Sequence, residues 1–110
     1  MGLSKASLLE SHAPAGATAA VCTVDPAATE CVLVHGIFGS YDTTPTGGGL
    51  ICTGLANDQI ALSVPAAGPF SFTFDPPLRG TTGTNFVATL ASGGGAVVGK
   101  LNVVYSLFGG

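Results

Sequence analysis

Phe70, Phe72 and Phe74 alternate with Ser71, Thr73 and Asp75, in a run bounded by prolines. A spacing of two puts all three rings on one face of an extended chain, because successive strand side chains point to opposite faces. The same period recurs along the chain. Ile60, Leu62 and Val64 share a face within 59–64, and Phe86, Ala88 and Leu90 within 84–90. In 96–108, Val97, Leu101, Val103, Tyr105 and Leu107 separate from Lys100, Asn102 and Ser106. Segments 17–24 and 50–53 are shorter versions. Residues 31–38 are almost continuously apolar, which suits a central strand covered on both faces. No 3.6-residue stripe lasts beyond a turn or two, so a helical fold is excluded.

Turn-formers separate these runs. The 110 residues include 17 Gly and 7 Pro. Pro76-Pro77 is expected to end the strand before it, since neither residue donates to a ladder. Seven or eight strands with turns every eight to twelve residues predict an all-β fold: one β-sandwich, jelly-roll-like. The length suits a single domain. Residues 17–110 form that domain, and residues 1–16 read as an arm. Ser4–Glu10 is compatible with a short helical turn, which Pro14 and Gly16 break. No apolar core of a secretory signal follows Lys5. Ala6 stands where a myristoylation motif needs Ser or Thr. Synthesis in a cytoplasm is therefore expected.

Cys22, Cys31 and Cys52 are expected to be small buried hydrophobes. Asp25-Pro26-Ala27-Ala28 fits a type I turn. A hairpin folded about it would set Cys22 opposite Cys31, so a disulfide between them is geometrically conceivable. Three scattered cysteines with His12 and His35 do not make a zinc set, and no metal or cofactor is expected.

Motifs for chemistry are sparse. The acids Glu10, Asp25, Glu30, Asp42, Asp58 and Asp75 fall mostly at turns or strand ends, where a side-chain to backbone bond explains them. His35 sits in an apolar strand. A triad with Ser40 or Ser63 and Asp58 is a story that any chain with these residues permits, and a G-x-S-x-G elbow is absent. A sheet histidine bonded to a neighbour is the better account. The glycine clusters 47–49 and 93–95 lack P-loop spacing and suit hairpin turns. The phenylalanine row is expected to pack into the core. A base-stacking platform would be basic, and this chain has net charge -3 with Lys5, Arg79 and Lys100 as its only Lys and Arg. Nucleic-acid binding, a membrane span and enzymatic activity are not expected.

The low charge carries the functional expectation. Asp, Glu, Lys and Arg make up 8% of the chain, against about 25% in ordinary domains. A surface so poor in charge suits coverage by other subunits, as obligate interfaces are. The expectation is a self-assembling protein, a ring of three bound to something larger. Leu3, Leu8 and Leu9 of the arm are its candidate assembly contacts. A loop cluster holding Tyr41, Asp42 and Arg79 is the alternative, a site for a receptor or glycan.

Several stretches resemble a known family: His35-Gly36-Ile37, Ser40-Tyr41, Pro45-Thr46-Gly47-Gly48, Ala67-Gly68-Pro69, Pro76-Pro77-Leu78-Arg79-Gly80, Leu90-Ala91 and Gly99-Lys100-Leu101-Asn102-Val103. Over about residues 17–105 the chain is similar to small all-β structural proteins of tailed bacteriophages and prophages. Some of these decorate or cement the capsid as jelly-roll trimers. The resemblance implies a virion protein without catalytic residues, with the major capsid protein or another virion protein as partner. A tail or fibre domain is the alternative that it implies.

Overall fold

The computed structural model describes residues 8–56 and 59–109. Eight strands follow one another: β1 (Leu8–His12), β2 (Ala20–Val24), β3 (Glu30–Tyr41), β4 (Gly49–Thr53), β5 (Ile60–Ser63), β6 (Gly68–Arg79), β7 (Phe86–Leu90) and β8 (Gly99–Gly109). They form two four-stranded antiparallel sheets. Sheet A has the order β1-β8-β3-β6, and sheet B the order β2-β7-β4-β5. Only β4 and β5 are both consecutive and hydrogen-bonded to each other. Every other connection crosses from one sheet to the other. This is the double Greek key of a jelly roll, as the turn spacing and alternation predict.

The core lies between the sheets. Sheet B turns Cys22, Leu50, Cys52, Phe86, Ala88 and Leu90 inward, and sheet A turns Val32, Val34, Ile37, Leu101 and Val103 inward, all essentially without solvent contact. Phe70, Phe72 and Phe74 pack against this core from β6, half-buried. Each fully buried side chain of this size contributes roughly 1.5–3 kcal/mol.

Strand β3 changes phase midway. Val32 and Val34 face inward, then Ile37, Gly39 and Tyr41 do, because the register slips between Val34 and Gly36. Against that slip, β6 passes from Thr73, opposite Gly36, to Leu78, opposite Val34. This extra length, which includes the cis Asp75–Pro76 peptide, is tolerated because β6 is an edge strand. The prolines therefore do not end β6, which runs on to Arg79.

Two further expectations need correction. Residues 1–16 are not an arm throughout: Leu8–His12 is strand β1, paired with β8 from Leu8 opposite Tyr105 to His12 opposite Leu101. Alternation loses to the long partner strand there, and no helical turn forms over Leu8–Glu10. The turn after β2 does not close a hairpin either. Its bond runs from the Glu30 N–H to the Ala27 carbonyl (3.0 Å), and it carries the chain from sheet B to sheet A.

Candidate functional site

The charged side chains are distributed unevenly. Among the described residues, no Asp, Glu, Lys, Arg or His lies in β2, β4, β5 or β7. Glu10, His12, Glu30, His35, Asp75, Arg79 and Lys100 all lie in sheet A strands, and Asp25 and Asp42 in connections. The outer face of sheet B is thus a plane of threonines and aliphatics. One row across it is Val21, Thr89, Ile51 and Ala61, and a second is Thr23, Val87 and Thr53. Ile51, near the middle, is 52% exposed. Threonine and β-branched side chains are what a strand selects on an uncrowded face. What is unusual is that no charge interrupts them.

The outer face of sheet A has a different character. His35 lies on β3 beside a hollow of about 300 Å³ that also involves Phe38, Ser71, Thr73 and Val104. The His35 Nε2 is 2.8 Å from the Ser106 hydroxyl. That partner, from β8, is not foreshadowed by any local motif, because it is 71 residues away. His35 lies at the register slip between Val34 and Gly36, and a triad would add an acid to this histidine–hydroxyl pair. Asp58, the acid considered for such a set, lies outside the described residues. No group of three or more His, Cys, Asp or Glu among the described residues is placed to hold a metal ion.

The proposed ligand loop is not assembled. Tyr41 is buried and its hydroxyl donates to the Ala91 carbonyl (2.6 Å). The Asp42 carboxylate accepts from the Val98 N–H (2.7 Å). Arg79 sits at the far end of sheet A, opposite Leu33, with its guanidinium 5.9 Å from the centre of the Phe108 ring. Eight residues of strand separate Leu33 from Tyr41, roughly 26 Å at ~3.3 Å per residue. Turn polarity and local bonding account for these side chains.

The three thiols are free and buried. Cys22 faces the core from sheet B, and Cys31 lies opposite Phe108 in sheet A. Because β2 and β3 belong to different sheets, the cross-strand disulfide that a hairpin would have allowed does not form. Burial, helped by the nearby Glu10, pushes the Cys22 thiol up to about 11, and burial alone pushes Cys52 up to about 11. Of the arm leucines, Leu8 and Leu9 are exposed on β1, while Leu3 lies outside the described residues.

The flanks of the sandwich differ as well. On the β1/β2 side the sheets are tied together: the Val21 N–H donates to His12 Nδ1 (2.9 Å). On the β5/β6 side they gape. A cleft of about 260 Å³ opens there, walled by Ile60, Leu62, Phe72 and Phe74 and floored by Ile37 and Leu50.

No protein-family model matches the chain. No curated protein matches it. Among solved structures, a carbohydrate-binding module in complex with β-1,4-galactotriose aligns with 94% of this chain and 68% of its own, at 15% identity and a TM-score of 0.37. Likeness at that level transfers neither site residues nor a ligand.

Proposed function

We propose that this chain is a non-catalytic assembly protein that decorates or cements the head of a tailed bacteriophage, three copies to a ring. The observation that carries the reading is the charge-free outer face of sheet B. A solvent-facing sheet normally intersperses charges that keep copies apart, and this one has none among its described residues. At ordinary strand spacing the face covers roughly 300 Å². Sealing it is worth at most about 7 kcal/mol per copy at ~25 cal/mol/Å², before association costs. Multiplied over a shell, that resists separation of capsid subunits. Sheet A, with Glu10, Arg79 and Lys100, supplies the solvated exterior. The phage head as destination rests on the sequence resemblance and on the jelly-roll fold, an argument by analogy.

A second reading, a tail or fibre domain that binds a glycan or receptor, draws on the hollow beside Phe38. Its polar rim (His35, Ser71 and Thr73) and aromatic side chain suit an uncharged ligand. Counting copies per particle separates the two readings: hundreds indicate a shell, a handful a tail. Heads purified with and without the protein test the preferred reading. Heads without it are expected to rupture at lower temperature, and identical rupture temperatures would remove the cementing role.

A further inference from the structure

The flank between β1 and β2 is closed from the β1 side. Leu8, Glu10 and His12 stand opposite Tyr105, Val103 and Leu101. Residues directly opposite in an antiparallel pair share a face, and Val103 and Leu101 are buried in the core. Glu10 and His12 therefore lie on the inner side of an edge strand, toward sheet B. Two contacts cross to β2 there. The Val21 N–H donates to His12 Nδ1 (2.9 Å), and the Cys22 thiol reaches toward the Glu10 carbonyl (3.6 Å). Strand β2 is itself an edge, so His12 occupies a backbone donor of the kind that edges leave unpaired.

The first of these contacts fixes a protonation state. A backbone N–H only donates, so the Nδ1 that meets it is bare and the imidazole is neutral. Protonation makes both ring nitrogens donors and takes the acceptor away from Val21. Histidine is the side chain that makes this change between pH 5 and 8. A new partner is close by. Glu10 is two residues away on the same face, roughly 7 Å along the strand at ~3.3 Å per residue. Among the described residues, the other elements packed against His12 bring no competing charge. Strand β2 presents only the Cys22 thiol, which stays protonated over this range. On β8, Lys100 adjoins Leu101, but alternation puts its side chain on the outer face of sheet A. Residues 13–19 contain no ionisable side chain.

The connection between the two strands is under strain. Ala17 holds φ at +63°, a region that residues with a Cβ rarely adopt, and its N–H donates to the Val97 carbonyl (3.1 Å). Such a conformation persists only where its surroundings impose it, so the segment gains by loosening once one of its ties is lost. We infer that His12 is a pH-sensitive clasp between the two sheets. Neutral, it holds the Val21 N–H and closes the flank; protonated, it turns to Glu10 and leaves the β2 edge open. The inference does not depend on the assembly role. Because one partner replaces another, the effect is local, and its readout is the Val21 amide rather than the melting temperature.

The test follows the backbone amides of the full chain by NMR between pH 8 and pH 5. The expected result is that the Val21 amide shift and the His12 ring shifts move with one common midpoint. The Val21 protection factor, corrected for intrinsic exchange, should fall at least tenfold across that range, while that of Ile37 in the middle of β3 holds. His12→Phe should leave Val21 unprotected at both ends of the range, and Glu10→Gln should lower the His12 midpoint. A Val21 amide that ignores the His12 titration overturns the clasp, and so does a Val21 that still responds to pH in His12→Phe. An unchanged midpoint in Glu10→Gln overturns the exchange of partners. If either variant fails to fold, the wild-type titration decides alone.

Discussion

At the scale of single residues, burial explains most of the polar chemistry. The Cys22 thiol reaches toward the Leu101 carbonyl (3.4 Å), and both residues are shut off from the solvent surface. Its thiolate is disfavoured in the fold, as is that of Cys52. Both groups have a folded value near 11 that lies above their ordinary 9.0. The unfolded chain therefore binds fewer protons between those values, and stability must fall as pH rises through that window. Thermal melts should show Tm level below pH 9 and declining from there to about pH 11. A Tm that held steady across that range would contradict the burial of these thiols. Phe86 is fully enclosed between the sheets. Phe86→Ala should cost about 3–5 kcal/mol in a denaturant titration, whereas a loss under 1 kcal/mol would mean that the core is not built around it. The core character of Phe86 and of all three cysteines was legible from alternation and residue type. That Cys22 and Cys31 lie in different sheets was not legible, because a turn motif reports the local bend and not the sheet to which the next strand belongs.

At the scale of elements, β3 holds sheet A together, since it pairs with β8 along one side and β6 along the other. Its apolar run announced a central strand. The phase change at His35–Gly36 was not legible, because a bulge needs a partner that resists slipping and that partner is β6, more than thirty residues later. Gly39 shows how closely the strands approach. A Cβ there would collide with the Lys100 carbonyl oxygen and meet the Phe70 ring at 2.9 Å. Gly39→Ala should destabilise the protein by about 1–3 kcal/mol, measured by urea titration. A neutral effect would show that β3 and β8 are more loosely packed than the structure has them. Strand β1 was missed altogether. Leu8-Leu9-Glu10 has no alternation of its own, and its extended form comes from the waiting edge of β8. Tertiary context overrides weak local preference in this way.

At the scale of the whole molecule, the sparse charge was legible from composition alone, whereas its segregation was not. Summed composition cannot say that strands two, four, five and seven form one sheet; that grouping follows from the jelly-roll crossing pattern. Once grouped, they expose a face without a formal charge among the described residues, and the candidate contacts reorganise around it. Tyr41 and Asp42 become local structural supports and Arg79 a cover for Phe108, while Leu8 and Leu9 keep an exposed position. A single charge placed on the sheet B face should undo what its absence permits. Sedimentation equilibrium over a wide concentration range, comparing the wild type with Ile51→Lys, tests this most directly. The account predicts that the wild type self-associates and that Ile51→Lys shifts it toward monomer by at least tenfold in dissociation constant, with its fold unchanged. A wild type that stays monodisperse and monomeric at the highest concentrations would contradict it.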